Sequence, residues 1–138
     1  MQKIYLGVDV GSVSTNLVAL DTRLQVLETV YLRTMGHPVK ATQEGFRELQ
    51  SRLPQFEVLG VGATGSGRNL VAAMLGADEV KNEITAHAVG AAHFHPEVRT
   101  VFEIGGQDSK LILLRDGVVI DFAMKTVCAA GTGSFLDQ

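Results

Sequence analysis

Two segments, one near each end of the chain, carry an acid, a glycine, a hydroxyl residue and a leucine in the same register. The first is Val8-Asp9-Val10-Gly11-Ser12-Val13-Ser14-Thr15-Asn16-Leu17, and the second is Phe102-Glu103-Ile104-Gly105-Gly106-Gln107-Asp108-Ser109-Lys110-Leu111. With Glu103 placed on Asp9, Gly105 falls on Gly11, Gly106 on Ser12, Ser109 on Thr15 and Leu111 on Leu17 without a gap. Aliphatic runs flank both loops, so residues 4–10 and 17–20 read as strands around the first. A turn and a third strand follow each copy, over 25–33 and over 118–127. Each unit is therefore strand, acid-glycine loop, strand, turn, strand. A repeat of this kind points to a duplicated unit and restricts the fold to one that opens two lobes with the same β-meander.

The loops also carry a chemistry. Glycine at Gly11 lets an anion approach the backbone, and the amides of Ser12, Val13, Ser14, Thr15 and Asn16 can point at it. In the second loop the same part falls to Gly105, Gly106, Gln107, Asp108, Ser109 and Lys110. Asp9 shares a strand face with Gly11. An acid there is badly placed to bind phosphate directly and well placed to hold Mg²⁺ through water. Asp108 and Glu103 are the next metal candidates. A single loop of this kind reads equally as a hairpin with a polar tip; two loops of equal acid-to-glycine spacing favour the phosphate reading. Two such loops facing each other would clasp one phosphate chain and one metal ion.

Between the repeats the order is alternately strand and helix. Met35-Gly36-His37-Pro38 breaks the first meander. Residues 39–52 read as a helix, 56–63 as a strand parallel to the first, and 69–75 as a short helix. Thr64-Gly65-Ser66-Gly67-Arg68 is a glycine-rich turn without the Lys-Ser/Thr ending of a P-loop, and its expected role is to shape the floor of the cleft. Residues 81–95 read as an alanine-rich helix ended by Pro96. On it Glu83 and His87 share a face, with Glu83 a candidate for the active cleft. His87, His93 and His95 have no metal-ligand spacing and read as surface or packing residues. The Asp116-Gly117 pair signals the hairpin of the second meander, over 99–127. The expected organisation is a first lobe over 1–96, with five strands in a mixed sheet, and the start of a second lobe over 97–138. The chain reads as a fragment that would not hydrolyse nucleotide alone.

Composition excludes several classes. Of 138 residues 46% are hydrophobic, enough for a lobe with a real core. The net charge of −3, with scattered basic residues, leaves no footprint for nucleic acid. One cysteine argues against a disulfide scaffold and fits a cytoplasmic location. No apolar run is long enough for a membrane span, and no signal peptide is legible.

The paired loops resemble those of the acetate/sugar-kinase and actin superfamily, whose lobes have a ribonuclease-H-like α/β fold with a mixed sheet. Three strings narrow the resemblance: Glu103-Ile-Gly-Gly-Gln-Asp-Ser-Lys110, Cys128-Ala-Ala-Gly-Thr-Gly133 followed by Phe135-Leu136-Asp137, and Asn82-Glu-Ile-Thr-Ala-His87. Together they resemble the ATP-dependent activators of 2-hydroxyacyl-CoA dehydratases, themselves similar to the ATPase subunits of benzoyl-CoA reductases. The likeness runs from Gly7 to Gln138. It implies ATP and Mg²⁺ as ligands, a homodimer, and a dehydratase or benzoyl-CoA-reductase-type partner that receives an electron. It also implies a 4Fe–4S cluster held between two subunits with Cys128 as a ligand. Four thiolates from a two-fold dimer require two cysteines per subunit, so the second would lie beyond residue 138. The glycine run after Cys128, at a helix start, favours thiolate.

Hydrolysis needs neutralised phosphates, a metal and a positioned water. Lys110 is the expected cation, and Gln107 the residue that orients water, with a solvated loop side chain as its plainer reading. Many relatives carry lysine where this chain has Asn16, so its first loop lacks that charge. Two other readings stand beside the activator. One is a small-molecule kinase of the same superfamily, with Cys128 incidental. The other is a non-enzymatic, nucleotide-sensing actin-like module.

Overall fold

Alternation along one strand sets up the first half of the structure. In β1 (Gln2–Val10) the side chains of Ile4, Leu6, Val8 and Val10 are all buried. They lie on one face because successive strand residues point to opposite sides. In this computed structural model, which describes residues 1–105 and 108–126, that face is the core of a unit spanning Met1–Lys81. β1 pairs antiparallel with β2 (Ser14–Leu20), and β2 with β3 (Val26–Arg33). On its other side β1 pairs in parallel with β4 (Phe56–Thr64), which pairs in parallel with β5 (Glu79–Val80). The sheet order is β3-β2-β1-β4-β5, the five-stranded mixed sheet expected from the sequence, with β5 as the edge strand.

Two helices cover the apolar face. α1 (Pro38–Arg52) contributes Leu49, and α2 (Arg68–Leu75) contributes Val71, both fully buried against β1, β2 and β3 aliphatics. Proline at the first position of α1 suits a helix start, where the missing N–H has no intrahelical partner. α2 ends on Gly76 in the left-handed conformation, where its N–H bonds to the Ala72 carbonyl. The strand-helix-strand order predicted between β1 and β4 is thus the parallel crossover that the chain makes.

A second unit spans Asn82–Gln138. It opens with α3 (Glu83–Phe94), whose start is capped by the Asn82 side chain accepting from Thr85 N at 2.9 Å. β6 (Thr100–Ile104), β7 (Asp108–Arg115) and β8 (Val118–Thr126) follow as an antiparallel meander. The β7–β8 turn puts Asp116 and Gly117 at φ 53° and 78°, the two left-handed positions that a two-residue hairpin of this hand requires. α3 lays Ala88 and Ile84 on Ile112, Leu114, Val101 and Val119. The sequence reading placed the boundary between lobes after Pro96. The compact units divide instead at Lys81/Asn82, because α3 packs on β6, β7 and β8 and shares their core.

Leu49→Ala should destabilise the first unit by about 2–5 kcal/mol, because the cavity would open at the centre of its core. Leu70→Ala, on the exposed side of α2, should cost under about 0.5 kcal/mol. Denaturant unfolding of the two variants checks the contrast.

Candidate functional site

The first loop joins β1 to β2. Val10 pairs with Thr15, and the loop closes where Gly11 N donates to Ser14 O at 2.9 Å. Ser12 and Val13 form the exposed tip. Thr15 is fully buried, so its side chain serves the loop rather than a ligand. Its hydroxyl lies 2.9 Å from that of Thr34, which donates to the Gly11 carbonyl at 2.8 Å. Since the Thr34 proton goes to Gly11, Thr15 is the donor to Thr34. Thr34 N also donates to Val13 O. The residue that follows β3 therefore ties down the loop between β1 and β2. Thr34 escaped the sequence reading because nothing in its neighbourhood marks it as a partner of Gly11.

Asp9 lies one residue before the end of β1, on the face opposite the core, paired across the ladders with Asn16 on one side and Thr64 on the other. Asn16 Nδ2 donates to Ser14 Oγ at 3.3 Å. The glycine-rich turn after β4 wraps this same strand end. Gly67 N donates to Val10 O at 2.9 Å, and both the amide and Nη1 of Arg68 donate to Gly65 O at 3.1 Å. Gly65 has φ +96°, and a Cβ there would overlap the Val10 carbonyl and come within 2.7 Å of Asp9 Oδ1. The Thr64–Arg68 string thus walls the Asp9 carboxylate. Arg68 is a further cation at this strand end; its string was legible, but the side chain's place was not.

The second loop repeats the ladder pairing and the closing hydrogen bond of the first. Ile104 pairs with Ser109 as Val10 does with Thr15, and Gly105 N donates to Asp108 O at 2.7 Å. Glu103 stands across from Lys110 as Asp9 does from Asn16. The loops differ in what holds them. Ser109 is buried like Thr15, yet its hydroxyl has no hydrogen-bond partner among the described residues. Instead, an ionic group stands beside this loop. Lys110, on β7 rather than in the loop tip, is only 4% exposed. Its Nζ donates to Glu103 Oε2 at 3.0 Å and lies 3.3 Å from Glu83 Oε2. His87 Nε2 is 3.8 Å from the same Glu103 oxygen, an ion pair when the imidazole is protonated. Glu83, Glu103 and Lys110, each singled out from sequence, are brought together. His87 joins them, one helical turn beyond Glu83, although the sequence reading gave it a surface or packing place.

Desolvation, the largest influence on Lys110, pulls its pKa down. The hydrogen bond to Glu103 and the charges of Glu103 and Glu83 more than offset it, so the ammonium titrates above its ordinary 10.5. Gly106, Gln107 and Cys128 lie outside the described residues. Among the described residues no group of three His, Cys, Asp or Glu side chains could hold a metal ion. Nor is any described helix long and apolar enough to cross a membrane.

The mixed sheet, its crossover helices and the repeated acid-glycine hairpins define an actin-like ATPase lobe of the ribonuclease-H type, followed by the opening meander of a second. The chain belongs to the BadF/BadG/BcrA/BcrD ATPase family, which it matches over residues 6–138. It is 36% identical over 136 residues to the (R)-2-hydroxyglutaryl-CoA dehydratase activating ATPase of Acidaminococcus fermentans, covering 96% of this chain and 50% of that protein. It is 38% identical over 136 residues to the activator of lactoyl-CoA dehydratase of Anaerotignum propionicum, covering 96% of this chain and 51% of that one. A solved structure of the activator of the 2-hydroxyisocaproyl-CoA dehydratase from Clostridium difficile, with bound ADPNP, superposes with a TM-score of 0.84. Its identity is 31%, over 97% of this chain and 50% of that structure. The chain spans about half the length of these relatives.

Because the folded-state pKa of Lys110 is raised, its contribution to stability is complete below the unfolded-state value near 10.5 and is lost as pH rises through the higher folded value. Lys110→Met should be less stable than the parent by about 2–4 kcal/mol at neutral pH, because two partly buried carboxylates lose their counter-charge. Denaturation of both proteins between pH 8 and 12 should show the gap closing only above about pH 10.5.

Proposed function

We propose that this chain is the nucleotide-binding half of an ATP-hydrolysing activator for a 2-hydroxyacyl-CoA dehydratase or a benzoyl-CoA-reductase-type enzyme. One observation carries the reading: two acid-led hairpins closed by the same hydrogen bond, Gly11 N to Ser14 O and Gly105 N to Asp108 O. The family and the activator relatives support it over a small-molecule kinase.

In this reading the exposed amides of Ser12 and Val13, with Gly11 behind them, bind phosphate oxygens of ATP. The short residues Ser14 and Asn16 border them. Gly105, Gly106, Gln107 and Asp108 give a second set of contacts. Thr15 and Ser109 contribute by holding the hairpins, since their side chains are buried. Mg²⁺ supplies charge neutralisation on the phosphates, and Asp9 holds it through water from its place beside Gly11 and Gly65. Asp108 is the second acid able to assist. Gln107 orients the attacking water, and Glu83 bounds that region from the start of α3.

Cys128 serves a 4Fe–4S cluster shared by two copies of the protein, with its second thiolate per copy supplied from outside residues 1–138. When bound, such a cluster would supply one-electron chemistry toward the partner enzyme, with Cys128 as one of the residues that would hold it. The support for this part is the Cys128-Ala-Ala-Gly-Thr-Gly133 string and the names of the relatives. The protein works in the cytoplasm as a homodimer and carries no nucleic-acid or membrane surface in this reading.

Asp9→Asn in the full-length polypeptide should lower ATP turnover at saturating Mg²⁺ by about 10²–10³-fold, the effect of removing one electrostatic stabiliser. Its melting temperature should stay close to that of the parent; unchanged turnover would remove Asp9 from the site. Cys128→Ala should abolish the iron–sulfur absorption of the anaerobically purified protein while ATP hydrolysis persists in part. A retained brown chromophore would release Cys128 from the cluster.

A further inference from the structure

The second loop carries a lysine where the first has Asn16, and its side chain is turned to two carboxylates. We propose that Lys110 is a positioning residue, which clamps Glu103 against the second loop and binds the start of α3 to it; this rests on the ATPase reading above.

The geometry is that of a clamp. An ammonium has three donors. Lys110 commits itself to Glu103 Oε2 at 3.0 Å and to Glu83 Oε2 at 3.3 Å, from a side chain that is almost wholly buried. The ammonium is thus matched to two carboxylates rather than left as a free positive charge for an incoming phosphate. For Lys110 to reach a nucleotide it would have to abandon a carboxylate in a partly dry place, which is strongly unfavourable.

What the clamp controls is visible at Gly105. Glu103 Oε2 is taken by Lys110, and Oε1 lies 3.3 Å from the position a Gly105 Cβ would occupy. The carboxylate therefore sits directly against the residue whose N–H closes the loop onto Asp108. Held by Lys110, Glu103 stays beside Gly105 without entering the loop. Released, its charge would be unbalanced next to the amide that the loop depends on. The first loop is held differently outside that shared bond, by the Thr15–Thr34–Gly11 hydroxyl chain, and its corresponding residue, Asn16, is uncharged. The features that both loops share are the acid, the glycine and the closing hydrogen bond. Lysine belongs to the features that only the second has, namely Glu83 and His87 on α3. Its role follows those acids rather than the phosphate.

Charge compensation tests this in the full-length protein. Lys110→Met, Glu103→Gln and the double variant are compared for ATP turnover, for ADPNP affinity by calorimetry, and for hydrogen exchange of the Gly105 amide without nucleotide. In Lys110→Met, kcat should fall by about tenfold or more while the ADPNP Kd stays within about threefold, and Gly105 should exchange faster. The double variant, with neither charge, should regain most of the turnover and of the Gly105 protection. A phosphate ligand would give the reverse: ADPNP affinity lost by about tenfold or more in Lys110→Met, and no better in the double variant. That result overturns the proposal. Should Lys110→Met fail to fold, the double variant decides alone, since the clamp predicts near-parental ADPNP affinity there and a phosphate contact predicts its loss. If the parent protein neither hydrolyses ATP nor binds ADPNP, the ATPase reading fails. Exchange at Gly105 then still judges the clamp: unaltered protection in Lys110→Met, or, if that variant does not fold, lost protection in the double variant, would overturn it.

Discussion

Everything in the first unit depends on the burial of one side of β1. Ile4, Leu6, Val8 and Val10 must face α1 and α2 to leave water, and each fully buried aliphatic contributes roughly 1.5–3 kcal/mol. The strand period then leaves Asp9 no choice of side. It is driven to the opposite face, one residue from the loop, with Asn16 and Thr64 as its ladder neighbours. A slip of one residue in register would bury the acid and expose the whole row, so the hydrophobic pattern fixes the place of the carboxylate more firmly than any polar contact could. The chemistry of the site is set by apolar residues on its far side.

The parts of this arrangement that follow a period could be read from the sequence. The two meanders, the parallel strand at β4, the three helices and the Asp116-Gly117 hairpin all carry alternation, helical spacing or turn residues, and all are in the structure. β5 was foreseen only as an edge strand without a position, since Glu79-Val80 is too short to show any pattern and is fixed by pairing with Gly62 and Ala63. The compact units divide at Lys81/Asn82 rather than after Pro96: Pro96 is a strong local stop, whereas membership of a compact unit is decided by which sheet a helix packs on. α3 shows no sharp apolar stripe from which that choice could be read.

The site was legible in its members but less so in their relations. Asp9, Glu83, Glu103 and Lys110 stand out by type and spacing. Their partners do not, because Thr34 reaches Gly11 across twenty-three residues and Glu83 reaches Lys110 from another element. A lysine in a glycine loop reads as a phosphate cation when only the loop is considered. The neighbouring helix supplies two of the four members of the ionic group, Glu83 and His87, and so gives the lysine partners that the loop alone does not reveal. The repeat itself hid this difference, since residues that align perfectly, Asn16 and Lys110, sit among different neighbours. The two hairpins share ladder pairing and a closing hydrogen bond and differ in what holds them.

Gly65 has a mechanical consequence. It lies with its Cα against the Val10 carbonyl, and its own carbonyl receives both the amide and the guanidinium of Arg68, the first residue of α2. Gly67 N adds a second tie to the Val10 carbonyl. The end of β1 and the start of α2 thus meet at one strand-end carbonyl, so a substitution that moves Val10 also disturbs the helix that packs Val71 on the core.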